Sequence, residues 1–416
     1  MLQAVNQDGV KRHFLEALTE MEWRERKRHE RFFCPVCQEE VLIKLGKKKR
    51  WHFSHKSRAR CPAARHGETD VHRLGKEKLF RWLQSQGEQV SLEYWIPESR
   101  QRPDLYICGE RQVVIEYQCA EMTVDQTMKR TKAYRAQRMN DMWILSGARV
   151  RRRMTQLFRF RLFEWYMSQN RHYERYFVYF DPQSDTFCFL RHVIPLDVSS
   201  CFATYTLFPS SEVTLSQLSH PPPMVPSYEA SILSYRQKRR KSPVYRYQYR
   251  TFLSYLSSYH CHTPPLEAGW PLPSQCYIQI PCDIWQTHFL FSFVATQQNG
   301  VILFDQACSF LKRLFATFPH AIVPYCRRRD VIERIVSEYL QLLCVFSSLL
   351  PRSASTFVCC SPPHSEWTEE TERHHIKYWE SLFVNRTSTA MLEGGKSSKK
   401  DGYTKERGGG GRSEKG

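Results

Sequence analysis

The chain has 416 residues, 41% of them hydrophobic, so it is long enough for two or three packed domains and is not a wholly disordered protein. Lysine and arginine (61) outnumber aspartate and glutamate (42), and the resulting net charge of +19 favours a polyanionic partner such as nucleic acid. The longest apolar stretch, Tyr339–Leu350, is too short for a membrane span, and no signal peptide is visible. The 15 cysteines show no secreted pattern, so we expect a cytoplasmic protein with reduced thiols.

The first 60 residues predict a small β-rich unit with one helix. Asp8-Gly9 separates two short runs and is typical of a hairpin turn. The charge-rich segment 16–31 predicts a solvated helix. Two further strands are expected at Val41–Leu45 and Arg50–Phe53, with a glycine and lysine turn between them.

Cysteines and histidines in this unit have the spacing of a metal site. Cys34 and Cys37 form a C-x2-C knuckle that can clamp a tetrahedral ion, and Cys61 returns after the two strands. His55 is the preferred fourth ligand, because His55-x5-Cys61 could form the second half-site, and His52 is the alternative. Four protein ligands would leave no open position, so we predict a structural Zn²⁺.

An acidic hairpin follows between two predicted strands, Arg102–Cys108 and Gln112–Cys119, which are joined by the loop Gly109–Arg111. This loop length places Asp104 directly opposite Glu116. Two adjacent carboxylates repel each other unless a cation joins them, and oxygen ligands suit a hard divalent ion such as Mg²⁺.

Upstream, residues 67–87 have a helical period, with a predicted apolar stripe of Val71, Leu74, Leu79, Trp82 and Leu83. Glu68, His72 and Lys76 stand four residues apart on an adjacent row, where they could face a cleft. Such a row is more commonly a solvated charged face.

Downstream, a second helix begins with a capping box at Thr123 and Gln126. Arg130 and Tyr134 continue the same row at four-residue intervals. A buried strand, Met142–Leu145, is expected next, and the intervening helix allows it to pair in parallel with the preceding strand.

The order helix, three strands, helix, strand resembles the PD-(D/E)xK nuclease fold. Pro103-Asp104 matches its first motif, and Glu116-Tyr117-Gln118 occupies the second. The departure is Gln118, where that fold expects lysine. An amide can orient a water molecule but cannot take its proton, so Lys76 or His72 would supply the missing basic group.

A more specific resemblance combines "FFCPVC", "HFSH", the later Cys61, "ETDVHRLGK", "RPD", "IEYQ" and the Arg130/Tyr134 helix ending in "WIL". Over roughly residues 1–150 the chain resembles the competence protein CoiA family, which is associated with DNA uptake and recombination in competent bacteria. The resemblance implies a zinc-finger-like module and a nuclease-like domain. It also implies that Asp104 and Glu116 are metal ligands, Glu68 a helix-borne acid near the metal, and Gln118 the equivalent of the lysine.

The expected fold class is therefore α+β or α/β, in four parts. Residues 1–63 would form the zinc module and 64–150 an αβββαβ restriction endonuclease-like core. Residues 151–392 would form a mixed C-terminal region, including a helix from Asp330, and 393–416 a disordered tail.

The expected function is metal-dependent DNA cleavage of recombination intermediates during transformation. Asp104 and Glu116 would bind Mg²⁺ or Mn²⁺, with Gln118 and Lys76 positioning the water or the phosphate. Arg130 would bind the flanking phosphate, and Tyr134 would pack on a sugar or base.

The expected partner is single-stranded or branched DNA. Basic runs at Arg149–Met154 and Arg236–Arg250 support a DNA path, and the second interleaves tyrosines with cations. The alternative is a DNA-binding mediator without catalysis that recruits a recombinase, a role that Gln118 favours.

Overall fold

The computed structural model describes residues 1–47, 50–56, 61, 69–109, 112–171, 174–222, 224, 226–241, 250–297, 300–323, 328–361, 363 and 368–384. The architecture is mixed α and β, which confirms the predicted class. The predicted tail, 393–416, lies outside the described residues. Within the described part of the chain, every helix is too short or too polar to cross a bilayer.

The N-terminal unit is a five-stranded antiparallel sheet with one helix, in the order β2-β1-β3-β4-β5. A capping box between Thr19 and Glu22 begins the helix, and Trp23 buries its inner face against Phe53. Asp8-Gly9 forms the predicted turn, and Gly9 has a φ of 78° that favours glycine. The elements are β1 (Gln3–Asn6), β2 (Lys11–His13), α1 (Glu20–His29), β3 (Phe32–Phe33), β4 (Glu40–Lys44) and β5 (His52–His55).

A ten-stranded mixed sheet forms the centre of the molecule, with the path β10-β11-β15-β14-β13-β9-β8-β7-β6 and β12 beside β13. Strand β9 pairs in parallel with both β8 and β13, and the other pairs are antiparallel. The elements are α2 (Asp70–Ser85), β6 (Val90–Leu92), β7 (Leu105–Ile107), β8 (Val113–Gln118), α3 (Val124–Ala136), β9 (Asn140–Ser146), β10 (Arg151–Arg152), β11 (Leu157–Arg159), β12 (Gln169–Arg171), β13 (Glu174–Asp181), β14 (Thr186–Pro195) and β15 (Ser200–Pro209).

The predicted nuclease-like order of helix, three strands, helix and strand is present as α2 to β9. The sheet then continues through β15, so the expected boundary at residue 150 falls inside one continuous sheet. Strand β6 ends at Leu92, because Glu93 takes a left-handed φ of 48°.

Helices α2 and α3 cover opposite faces of this sheet. Leu79 and Leu83 of α2 pack with Ile115 and Met142 on one face. Tyr134 of α3 packs with Val114 on the other face. The predicted apolar stripe of α2 holds only in its second half, because the first half exposes Val71 and instead buries Arg73, Gly75 and Lys76.

A helical layer follows and packs on β14 and β15 through Ile194 and Phe202. The helix predicted from Asp330 is confirmed. The helices are α4 (Leu215–Ser219), α5 (Glu229–Lys241), α6 (Arg250–Ser258), α7 (Cys282–Ser292), α8 (Phe304–Ala316), α9 (Arg328–Val345) and α10 (Glu369–Phe383). A three-stranded sheet runs in the order β16 (Val301–Leu303), β18 (Thr356–Cys359), β17 (Leu349–Pro351). Short 3₁₀ helices occur at Gly147–Arg149, Leu162–Met167, Ser210–Glu212, Pro273–Tyr277 and Val294–Thr296.

Large aromatic side chains make the core of this layer, and Trp270, Trp285 and Trp379 are fully buried in it. Arg236 of α5 pairs with buried Glu372 of α10, and its guanidinium lies 3.9 Å from the centroid of the Trp270 ring. The cation joins two helices through the core.

Candidate functional site

The cysteines and one histidine of the N-terminal unit converge as predicted. Cys34, Cys37, His55 and Cys61 bring one ligand atom each to within 4.8 Å of one another. Cys34 Sγ lies 3.8 Å from Cys61 Sγ, and Cys37 Sγ lies 3.3 Å from His55 Nε2. One thiol–thiol contact and one thiol–imidazole contact of these lengths suit four ligands around one small ion.

Local backbone structure makes this geometry possible. The turn after Cys34 is closed by a hydrogen bond from the Gln38 amide to the Cys34 carbonyl (2.9 Å), and Gln38 takes a φ of 58°. The β4–β5 hairpin then returns His55 opposite Val41, beside the knuckle. His52 lies outside the group, and its Nδ1 is 2.8 Å from the Arg50 carbonyl oxygen, so of the two alternatives His55 is the ligand candidate.

Burial sets the protonation of the group. It lowers the pKa of His55, so the imidazole is neutral and able to ligate near pH 7. It raises the pKa of the Cys37 thiol to about 12, so an ion is needed to stabilise the thiolate. The cluster can therefore hold a metal ion such as zinc.

The acidic hairpin has the predicted register. Leu105 pairs with Ile115 and Ile107 with Val113, which places Asp104 opposite Glu116 one step further on. Both carboxylates are 2% exposed. Asp104 Oδ2 accepts a hydrogen bond from the Tyr117 amide (3.0 Å) and lies 3.2 Å from His72 Nε2 of α2.

Glu116 is approached from the other face of the sheet. Arg130 and Tyr134, one turn apart on α3, both donate to its Oε1. Arg130 also donates to the Tyr134 hydroxyl (3.0 Å). Tyr134 is fully buried, so its ring cannot pack on a sugar or base in this conformation, contrary to the predicted contact.

Lys76 contacts an acid that the prediction missed. Its ammonium is buried and pairs with buried Glu93. Glu93 Oε2 also accepts the backbone N–H of Leu2 (3.1 Å), which ties the N-terminal unit to the central sheet. The available signal was an acid within the apolar run that follows Val90, where a solvated glutamate would be out of place.

Gln118 and Glu68 are the remaining predicted site residues. Gln118 is half-buried on the same face of β8 as Glu116, and its Nε2 donates to the Ala120 carbonyl (2.7 Å). Glu68 lies outside the described residues. The structure therefore places Asp104 and Glu116 at one end of the β7–β8 hairpin. His72 of α2 contacts Asp104, whereas Glu116 is contacted by α3.

The chemistry of these donors suits a divalent cation. Two buried carboxylates, one on β8 and one directly before β7, offer hard oxygen ligands where solvent screening is weak. The Arg130 guanidinium neutralises part of this charge, so a cation at Glu116 would have to compete with it or bind beside it.

Comparison with known proteins agrees with this architecture. The model described as "Competence protein CoiA, nuclease-like domain" matches residues 68–223, and "Competence protein CoiA, N-terminal domain" matches residues 15–64. "Competence protein CoiA" of Bacillus subtilis (strain 168) is 26% identical over 341 residues, which is 80% of this chain and 90% of that protein. No solved structure matches the chain. The chain carries the N-terminal and nuclease-like domains of the competence protein CoiA family.

Proposed function

We propose that this protein is a metal-dependent DNA nuclease that cleaves recombination intermediates during transformation. The observation that supports this best is the position of Asp104, which directly precedes β7, opposite Glu116 of β8, with both residues buried. Burying two carboxylates at one end of a hairpin costs stability, and a cation bound there would offset part of that cost.

Asp104 and Glu116 would hold Mg²⁺ or Mn²⁺, and Glu68 would add a third carboxylate from the start of the α2 segment. Such an ion supplies a water of lowered pKa and stabilises charge on the phosphate oxygens. His72 orients Asp104 through the 3.2 Å contact and is the nearest described base to that carboxylate. Gln118 orients a water or phosphate oxygen by hydrogen bonds.

Two cations would assist these acids. Lys76 acts as a positioning residue, because its buried pair with Glu93 keeps a positive charge one helical turn from His72. Arg130 is partly exposed, so its guanidinium can turn from Glu116 to the phosphate beside the scissile bond.

DNA, single-stranded or branched, is the proposed substrate, and the net charge of +19 supports it. Not every basic residue contributes. Arg149 and Arg151 both bind buried Glu164, whereas Arg152 and Arg153 are exposed and can face a phosphate backbone. We further propose that Zn²⁺ at Cys34, Cys37, His55 and Cys61 is structural and that the protein acts in the cytoplasm.

A second function, DNA-binding mediation that recruits a recombinase without cleavage, is favoured by one specific observation. Arg130 and Tyr134 hold Glu116, and the Gln118 amide is bonded to the Ala120 carbonyl, so the second motif is engaged in internal contacts. A site neutralised in this way would bind DNA without chemistry.

A cleavage assay separates the two functions. Wild-type protein is incubated with single-stranded, duplex and branched DNA, with Mn²⁺, with Mg²⁺ or with chelator. Asp104→Asn and Glu116→Gln should each lower cleavage about 100-fold or more while DNA binding persists. Glu98→Gln, which changes an exposed acid on the same domain, is the matched control.

Full cleavage by both variants would exclude this hairpin as the active site. Wild-type protein that binds DNA tightly but cuts none of the three substrates would establish the mediator role.

A further inference from the structure

A cavity that is separate from the acidic hairpin lies between the central sheet and the C-terminal helices. Its volume is about 550 Å³, within the range of small-molecule sites. Val193 and Ile194 of β14 line one wall, and Leu382 and Phe383 at the end of α10 line another. The cavity therefore has apolar walls that could enclose a flat ring.

His192 lines this cavity and is held there at a structural cost. The β14–β15 register shifts between Arg191 and Ile194, a β-bulge, and His192 takes a left-handed φ of 49°. The side chain is 3% exposed, yet among the described residues nothing hydrogen-bonds its Nε2, and Glu174 Oε1 lies 3.8 Å away. A buried polar atom left in this state points to a missing ligand.

Glu338 of α9 faces the same cavity. Its carboxylate accepts from the Ser274 amide (2.9 Å) and hydroxyl (2.6 Å). Burial raises the pKa of Glu338 to about 7, so at neutral pH it can either donate or accept a hydrogen bond. The inner end of the cavity thus offers a donor or acceptor at both His192 and Glu338.

Most other charges around the cavity are already engaged. Arg191 binds both oxygens of Glu174 at 2.8 Å, and Arg175 donates to Cys276 Sγ (2.8 Å) and to the Tyr277 hydroxyl (3.2 Å). Arg334 on α9 is different: it lines the cavity, is exposed, and has no ion-pair partner within 4.0 Å in the described part of the chain. Two acids of the same helix also line the cavity beside Arg334: Glu333 is paired with Arg329 (2.7 Å), and Asp330 is exposed. Arg334 is the cation at this end of the cavity that a ligand phosphate could contact.

We propose that this cavity binds one nucleotide, with the base between the walls of Ile194 and Phe383, its polar edge on His192 and Glu338, and its phosphate on Arg334. Aromatic contact and carboxyl pairing to base N–H groups are the usual means of holding an unpaired base. The nucleotide could be a free deoxynucleotide or one base of a bound strand. The assignment is independent of the nuclease site, since it uses none of its residues.

Titration calorimetry on the full-length protein tests this with the four deoxynucleoside monophosphates and the four matching nucleosides. We expect saturable one-to-one binding of at least one monophosphate. Arg334→Gln should weaken the binding of that monophosphate about tenfold and leave the binding of the matching nucleoside unchanged, because only the phosphate contact is lost. Arg313→Gln, an exposed arginine of α8 outside the cavity, is the control.

His192→Asn should weaken the binding of the monophosphate and of the nucleoside to the same extent. Asparagine is chosen because it tolerates the left-handed backbone at this position. If thermal melting shows that this variant does not fold, Glu338→Gln provides the same test. If an oligonucleotide displaces the monophosphate, the natural occupant of the cavity is one base of a bound strand. If the oligonucleotide and the monophosphate bind at the same time, the occupant is a free nucleotide. Either result supports the site.

The proposal is overturned if none of the four monophosphates saturates, or if these cavity variants bind as wild type does. Asp104→Asn should leave nucleotide binding intact, so failure of the nuclease assignment would not be confused with failure of this one.

Discussion

Gly75 is the residue whose replacement should connect stability most directly to the acidic site. A Cβ at this position would lie 2.0 Å from Tyr117 Cε1 and 2.6 Å from two further ring atoms. Tyr117 is buried, its hydroxyl donates to the Phe180 carbonyl (3.2 Å), and its amide holds Asp104. The ring therefore cannot swing away without disturbing the end of β8.

The magnitude for Gly75→Ala follows from two opposing effects. Alanine should stabilise an interior helical position by about 1 kcal/mol relative to glycine. Overpacking a rigid core costs about 1–3 kcal/mol, and a 2.0 Å approach is severe enough to place the cost at or above the top of that range. We expect a net loss of about 2 kcal/mol or more in the free energy of unfolding.

Urea unfolding measures this loss as a lower midpoint at unchanged slope. Gly46→Ala, where an added Cβ meets nothing within 4 Å, is the control and should be nearly neutral. The double variant Gly75→Ala/Tyr117→Leu should lose less than the sum of its parts, because the smaller side chain removes the clash. Gly75→Ala with wild-type or higher stability would refute the close helix–sheet approach, and with it the placement of His72 beside Asp104.

Three further predictions test the other sites. Cys61→Ser should lower the zinc bound per chain and the melting temperature together, as measured by elemental analysis and calorimetry; unchanged zinc content would exclude Cys61 as a ligand. Arg130→Gln should tighten Mn²⁺ binding in calorimetry, since the guanidinium no longer competes for Glu116 Oε1; weaker binding would show that Arg130 supports the metal site instead. Because the pKa of Glu338 is raised to about 7 in the folded state, the folded state binds this proton more tightly than the unfolded state. The contribution of Glu338 to stability is therefore full below pH 4.5 and is lost as the pH rises through about 7. Glu338→Gln should remove that part of the pH dependence in urea unfolding curves measured from pH 4.5 to 8, and an unchanged profile would contradict it.

Local sequence signals predicted the elements near the acidic site well. The loop length between β7 and β8 was enough to place Asp104 opposite Glu116, since an antiparallel register depends only on counting from the turn. The C-x2-C spacing and the returning hairpin likewise indicated the Cys/His cluster. The capping residue Thr123 begins its helix where expected, whereas the first helix, expected over 16–31, begins only after Thr19.

Side-chain partners could not be predicted in the same way. Periodicity placed Lys76 and Tyr134 on helix rows that could face a cleft, but the structure buries both, one on Glu93 and one on Glu116. No periodic spacing in the sequence identifies either partner, because each pair joins two different secondary-structure elements.

By itself the sequence determined the N-terminal Cys/His cluster, the order of elements around the acidic hairpin and the position of Asp104 opposite Glu116, because all three follow from short-range spacing along neighbouring strands. Only the tertiary structure decided that the sheet continues past residue 150 to β15. It alone also decided that Arg130 neutralises Glu116 and that a cavity containing His192 opens beneath the C-terminal helices. These features arise from packing between distant segments, where burial and charge pairing select one partner among many that the sequence would allow.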